Sequence, residues 1–538
     1  MAGTKRDKER VRRLSSILIF CALSLPVWAV PARRGPIVRT MPDGTEKTVF
    51  LHGNAFSHYM TDEEGRWLDD ATLQPMSEEG KAARMEHNAR RAQARRAYQE
   101  THLKLNLAPR GLIILVNFAD KAFTTSWDQI DYMLNGAHFW RDYSYKYREG
   151  GKTITVEVQS QGSARVYFED QSYGQYSPTF DVVGPYTLSR ELEYYGKNDD
   201  ANIGKMIKEA CLMADEHGVN FTKYDNDHDG EVDFVYVIYA GYGEADGGPE
   251  ETIWPHNYSL DNLWGVSCKV DGLKVNNYAC SNEISYYSDF YNGIGTFCHE
   301  FSHVLGLPDL YETNYNQKGV HTLYEWDILD YGPYNNDGNT PPAYSAYERF
   351  FLGWLKPRIL SSPQSVWLNR LNSEHGDAIL LCEGDIHNMI GYDPAPRVFY
   401  LIESRILDGW DKYLPGDGVL ITKISFDPDD WYNNTVNNDE SKMGVDIIEA
   451  KKNKASYAKK TDAFPYGATE WTDFAGHEVT EIEFDKLYGA ATFSYRGAPK
   501  TGLETVKDEE SPKKVIRDGR VIILRGDKEY DILGNENH

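Results

Sequence analysis

Residues 299–312 read His-Glu-Phe-Ser-His-Val-Leu-Gly-Leu-Pro-Asp-Leu-Tyr-Glu. This stretch restricts the local backbone more than any other in the chain. His299 and His303 stand four residues apart, so on a helix both imidazoles share one face. Gly306 lets the helix stop and the chain turn back. Asp309 follows the turn, six residues after His303, where it can close a ligand set from the other side; Glu312, three residues on, is the alternative third ligand. Two histidines and a carboxylate are the donor types zinc accepts, with one position left for water. Glu300 borders the same face and can reach that water as a general base. By chance alone, His-Glu-x-x-His arises in roughly three of a hundred chains of this composition; adding the glycine and the acid lowers this to roughly a few in ten thousand.

GLIILVNFAD (111–120) is a continuous apolar run, as expected of a strand buried on both faces. TITVEVQ (153–159) and VDFVYVIYAG (232–241) read as further strands. Between them, Ile203, Met206, Ile207, Ala210, Met213 and Ala214 recur at helical spacing within 199–217. A helix is expected at 293–306 and another from Pro341-Pro342 through Trp354. Strands alternating with helices predict a mixed α/β (α+β) domain over 110–360. Beyond it, 361–498 is β-rich, as in VFYLIES (398–404) and GVLITKISF (418–426). Residues 499–514 are polar, and VIRDGRVIILRGDKEYDILG (515–534) reads as two or three small strands; 499–538 is therefore a linker and short β tail.

The N-terminus carries six basic residues before the apolar run Ile17–Trp28, followed by Ala29. This pattern predicts a secretory signal peptide over 1–29, and the run is shorter than a membrane span. The expected localisation is secreted, with no stable membrane span after cleavage. Removing 1–29 carries the formal charge from −25 to −29. Phosphate backbones repel such a surface, which argues against nucleic acid as a partner. Residues 30–76 read as a small folded region, and the Ala-, Arg- and Glu-rich 77–103 stretch as a solvated helix or linker, or else as a processing zone that would make 30–109 a pro-segment. No cysteine lies between Ala29 and Cys211, so a thiol from the pro-segment cannot block a metal. Asp43, Asp62, Glu63 and Glu64 are the acidic candidates for that task. Five cysteines follow Ala29, and Cys268 and Cys280 could close a loop.

A second metal pattern lies at Asp225-Asn-Asp227-His-Asp229-Gly230-Glu231-Val-Asp233. Oxygen ligands alternate and a glycine occupies the sixth position, as in the first part of a calcium loop. Tyr236 stands at the twelfth position, so the loop is not a full EF-hand. Asp225, Asp227, Asp229 and Asp233 are the candidate calcium ligands, with a structural role.

HEFSHVLGLPDLYE closely resembles the zinc motif of the immune inhibitor A-type family of secreted bacterial metalloproteases. LHGNAFSHYMTDEEGRWL (51–68), DNDHDGEVDFVYVIYAG (225–241), EWDILDYGPYN (325–335), AYERFFLGWLKP (346–357) and ESRILDGWDKYLPGDGVLI (403–421) also resemble family segments. The resemblance implies a metzincin-like catalytic domain and a zinc endopeptidase made as a zymogen. It further implies protein or peptide substrates, and activation by another protease or by autoprocessing. It carries His299, Glu300 and His303 into the family's roles. In the segment that corresponds to the methionine turn, Leu329 stands where methionine is expected, a nearly volume-conserving change. Tyr331 follows this turn and is a candidate donor to the oxyanion. The short tail resembles C-terminal segments of exported bacterial proteins that use type IX-like secretion, which would place the protein at the cell surface. The alternative reading is an inactive, calcium-dependent binding or adhesion protein on a metalloprotease scaffold. A mucin- or glycan-associated peptidase is a third reading.

Overall fold

The computed structural model describes residues 30–41, 45–54, 57–70, 72–86, 110–149, 152–263, 265–313, 320–498 and, in the tail, 513–517, 520–525 and 528–530. The expected signal peptide, Asp43 and most of the 77–109 stretch lie outside the described residues.

The centre is a five-stranded sheet of β1 (Arg110–Asn117), β2 (Thr179–Thr187), β3 (Val235–Tyr242), β4 (His256–Ser259) and β5 (Asn277–Ile284). Its order is β4-β5-β3-β1-β2. Strands β2, β1, β3 and β5 run parallel, and β4 is an antiparallel edge. Period-two alternation sends each strand's side chains to both faces. Leu112, Ile114 and Val116 pack with helix α1 (Ile203–Glu216) through Ile203, Met206, Ile207, Ala210 and Ala214. Ile113, Leu115, Tyr236 and Ile238 share the opposite core with Phe297 and Phe301 of helix α2 (Gly295–Val304). Both faces are covered, which is why GLIILVNFAD carries no polar alternation.

The 153–159 segment is a strand, as expected, and among the described residues it pairs with Asp142–Glu149 in a two-stranded ribbon separate from the central sheet. The helix expected from Pro341 through Trp354 spans only Ala346–Phe351. Ser345 caps it, and Ser345 and Glu348 form a reciprocal capping box.

Beyond residue 357 the chain is β-rich. One sheet combines Ile379–Leu381, Val398–Arg405, Gly418–Ser425 and shorter partners; a second combines Gln364–Leu368, Ala490–Tyr495 and Val479–Asp485. Ile379, Ile402 and Ile421 pack against Val366, Leu368 and Phe493 between the sheets. Leu380, Leu401 and Leu420 point the other way, into the core that also holds α2. Buried Arg405 ties this face to the helix at 346, pairing with Glu403 at 2.9 Å and Asp411 at 2.5 Å while Glu403 accepts from the Ala346 amide at 2.5 Å. The tail forms three antiparallel strands, Lys513–Arg517, Arg520–Arg525 and Lys528–Tyr530.

The N-terminal part is a four-stranded antiparallel sheet over residues 37–68. Its core of Val49, Leu51, Met60 and Leu68 joins Ala245 and Trp254 of the central body. Among the described residues, no helix is long and apolar enough to cross a membrane.

Candidate active site

Helix α2 begins where the chain has no room for a side chain. A Cβ on Gly295 would lie 2.0 Å from the Pro333 carbonyl oxygen. The start of α2 is thus held against the 333–338 turns, and every residue from Phe297 to His303 is buried. The helix ends at Val304, and Gly306 turns the chain with φ of 95°. Asp309 returns beneath the two histidines.

The three donors converge. His299 Nε2 and His303 Nε2 lie 3.1 Å apart, and Asp309 Oδ1 lies 3.2 and 3.3 Å from them. Zinc with bonds of about 2.0–2.1 Å in a tetrahedron places its ligand atoms roughly 3.3 Å apart, so the spacing fits that ion. Each imidazole is oriented from behind: His299 Nδ1 bonds the Ile328 carbonyl at 2.7 Å and His303 Nδ1 bonds the Leu307 carbonyl at 2.8 Å. A proton held at Nδ1 leaves the Nε2 lone pair for a metal. Asn434, from the β-rich part, donates to Asp309 Oδ2 at 2.7 Å and accepts from the Asp309 amide at 2.8 Å. Asp309 Oδ1 is buried with no hydrogen-bond partner, an orphaned acceptor facing the imidazoles. Glu312 is outside this trio.

Burial would raise the Asp309 carboxyl, but the two imidazoles outweigh it and hold it below its ordinary value. Burial lowers His303. Burial, together with the charge of Asp309, pushes Glu300 well above the usual carboxylate range. Glu300 Oε2 has no hydrogen-bond partner, while Oε1 accepts from the Val30 amide at 3.1 Å.

Leu329 is buried in the turn beneath the site, and its carbonyl accepts from the Leu310 amide at 2.8 Å. The turn therefore supports both His299 and the Asp309 segment through backbone groups, which leucine supplies as well as methionine. Tyr331 is half-buried, and the Arg34 guanidinium lies 3.5 Å over its ring.

Val30, Pro31 and Ala32 are buried in the cleft. Arg33 and Arg34 follow, pairing with Asp337 at 2.6 Å and Glu325 at 3.2 Å. None of the described acidic candidates for blocking the metal does so: Asp62 and Glu64 pair with Arg66, and Glu63 is exposed. Sequence reasoning missed this strap, as well as Asn434, Trp254 and the buried Tyr311 beside Asp309. Nothing local to residues 30–34 signals the contact.

Residues 104–356 match the family described as "Immune inhibitor A peptidase M6, catalytic domain". Through this stretch the chain is similar to the catalytic domain of immune inhibitor A peptidases. The family's match covers the central sheet, α2 and Asp309. "Pre-pro-metalloprotease PrtV" of Vibrio cholerae serotype O1 (strains M66-2 and ATCC 39315) is 29% identical over 217 residues, covering 35% of this chain and 23% of that protein. "Immune inhibitor A" of Bacillus thuringiensis subsp. alesti is 25% identical over 275 residues, covering 45% of this chain and 39% of that protein. The chain thus spans less than half the length of these relatives.

At the second metal pattern, Asp225, Asp227 and Asp229 bring carboxylate oxygens within 4.8 Å of one another. Asp225 is buried and accepts from the Asp229 and Gly230 amides at 3.1 and 3.2 Å. Asp233 instead turns to Asn226, accepting from its amide at 2.8 Å and its side chain at 2.6 Å. The five cysteines among the described residues are free and buried. The Cys268–Cys280 closure that the sequence left open does not form; Cys268 neighbours Cys211 instead.

Proposed function

We propose that this chain is an exported zinc endopeptidase, made in a latent form, that hydrolyses peptide bonds in proteins. The observation that carries this reading is the convergence of His299, His303 and Asp309 beside a Glu300 oxygen with no other partner. Zinc, held by those three side chains, would supply Lewis-acid activation of the scissile carbonyl and of the attacking water. Glu300 accepts the proton from the attacking water and hands it to the leaving amine. Its place beside the three donors supports that role, and burial together with the charge of Asp309 raises its affinity for the proton it must carry. Tyr331, at the cleft, donates to the developing oxyanion. The metzincin-like arrangement of a helix, a glycine turn and a supporting loop underlies these roles.

Latency belongs to the same reading. Residues 30–34 occupy the cleft and take one oxygen of Glu300, so substrate and strap exclude each other. Leader removal after Ala29 and cleavage within the 77–109 stretch are the processing steps, the second by autoprocessing or another protease. Asp225, Asp227 and Asp229 form a structural calcium site, with Asp233 holding the loop through Asn226.

Casein cleavage by activated wild type and Glu300→Ala, at matched zinc content, tests the assignment. We expect the variant to lose about a hundredfold or more in rate. Equal rates would refute the role of Glu300.

A further inference from the structure

The strap enters the cleft in the manner of a peptide. The Val30 amide nitrogen sits 3.1 Å from Glu300 Oε1, where the proposed chemistry needs the nitrogen of the leaving amine. Its main chain is then held by groups of the central body: Trp254 Nε1 donates to the Val30 carbonyl at 2.9 Å, the Tyr334 hydroxyl donates to the Pro31 carbonyl at 2.6 Å, and the Arg33 amide donates to the Ala245 carbonyl at 2.7 Å. Contacts of this kind are independent of side-chain identity. In that alignment Val30 stands for the first residue after a scissile bond and Arg33 for the fourth.

Arg33 fills a chamber built around its guanidinium. Nη2 lies 2.6 Å from Asp337 Oδ1, the head stacks 4.2 Å over the Tyr287 ring, and only 12% of the side chain is exposed. Tyr143 donates to the other Asp337 oxygen at 2.6 Å and so fixes the carboxylate. Asp246 lines the same cavity. Its Oδ1 is buried with no hydrogen-bond partner, and its charge acts on Arg33. Emptied of Arg33, this chamber holds two buried carboxyl groups, an arrangement that favours the return of a cation. A planar, weakly hydrated guanidinium suits an aromatic wall and a fixed carboxylate better than an ammonium does.

We propose that the chamber now holding Arg33 is a substrate subsite: once residues 30–34 leave, it takes an arginine side chain at the fourth position after the scissile bond. The inference rests on the peptidase reading above and names its substrate class, proteins with arginine downstream of the cut.

The test is a peptide library, randomised at that position, given to the full chain after activation in solution. Arginine is expected to be turned over about tenfold or more faster than alanine there, with lysine between. In Asp337→Asn the arginine-to-alanine ratio is expected to fall close to one. A flat distribution in wild type, or an arginine preference that survives Asp337→Asn, overturns the proposal. Absence of all cleavage would instead fail the peptidase reading, and the chamber is then read by a second measurement. Millimolar ethylguanidinium should raise the thermal midpoint of full-chain Arg33→Ala, but not of wild type or of Arg33→Ala/Asp337→Asn. An equal response in all three overturns the subsite.

Discussion

The backbone nitrogen of Val30 donates to Oε1 of Glu300 at 3.1 Å, across 270 residues of sequence. One contact thus joins the first described residue to the carboxylate on which the proposed chemistry turns. In the proposed mechanism it would link latency to catalysis, since a strap bonded to Glu300 occupies the place of substrate.

The strap is anchored at its far end by Arg34, which stacks on Tyr331 and Tyr324 and pairs with Glu325 at 3.2 Å. Arg34→Ala removes those contacts while leaving Val30 and Arg33 in place. A partly exposed cation–π contact of this kind is worth about 1–2 kcal/mol. The unprocessed variant should therefore cleave a fluorogenic peptide roughly five- to thirtyfold faster than unprocessed wild type. Initial rates measured before any processing occurs check this.

Asn434 touches no substrate, yet it holds Asp309 at two atoms. Asn434→Ala should weaken zinc binding about 10- to 100-fold, the usual range for loss of a group that orients a ligand. Competition against a chromophoric chelator measures it. Asn434→Asp is expected to be no better, since two carboxylates would then face each other.

Asp330 gives a pH signature. Burial pushes its carboxyl up to about 7, against 3.8 when solvated, despite acceptance of the Tyr324 amide at 2.6 Å. The folded state therefore binds this proton more tightly than the unfolded chain. Stability from this group is lost as pH rises from about 4 to about 7, by an amount on the order of a few kcal/mol. Asp330→Asn keeps the acceptor and removes the titration, so its thermal midpoint should fall less between pH 5 and pH 7.5 than that of wild type.

The calcium loop is tested by titrating calcium into zinc-loaded protein stripped of other ions. Wild type should gain several degrees in thermal midpoint, because an ion that binds only the folded state stabilises it by mass action. Asp225→Asn should gain little. An unchanged midpoint in wild type would remove the calcium assignment.

What was legible in the sequence was local. His299 and His303 are one helical turn apart whatever surrounds them, and Gly306 delivers Asp309 by backbone geometry alone. The apolar run at 111–117 marked a strand covered on both faces because its own side chains had no polar alternation. The segment 153–159 shows the limit. Its alternation marks a strand, but most of its residues are exposed or half-buried, and nothing in it names its partner strand. The short helix at 346–351 was signalled by Ser345 and Glu348 three residues apart, a cue that the preceding prolines obscured. Asn434 is 125 residues from Asp309, and the strap meets Glu300 from farther still; such pairings depend on the whole fold, and no spacing rule reaches them.

The central claim is that His299, His303 and Asp309 share one zinc ion. Crystals of the full chain, with anomalous diffraction recorded on both sides of the zinc edge, test it most directly. One strong peak is expected at about 2.0–2.2 Å from His299 Nε2, His303 Nε2 and Asp309 Oδ1. A zinc-loaded crystal with no peak there, or with Glu312 in place of Asp309, would contradict that claim.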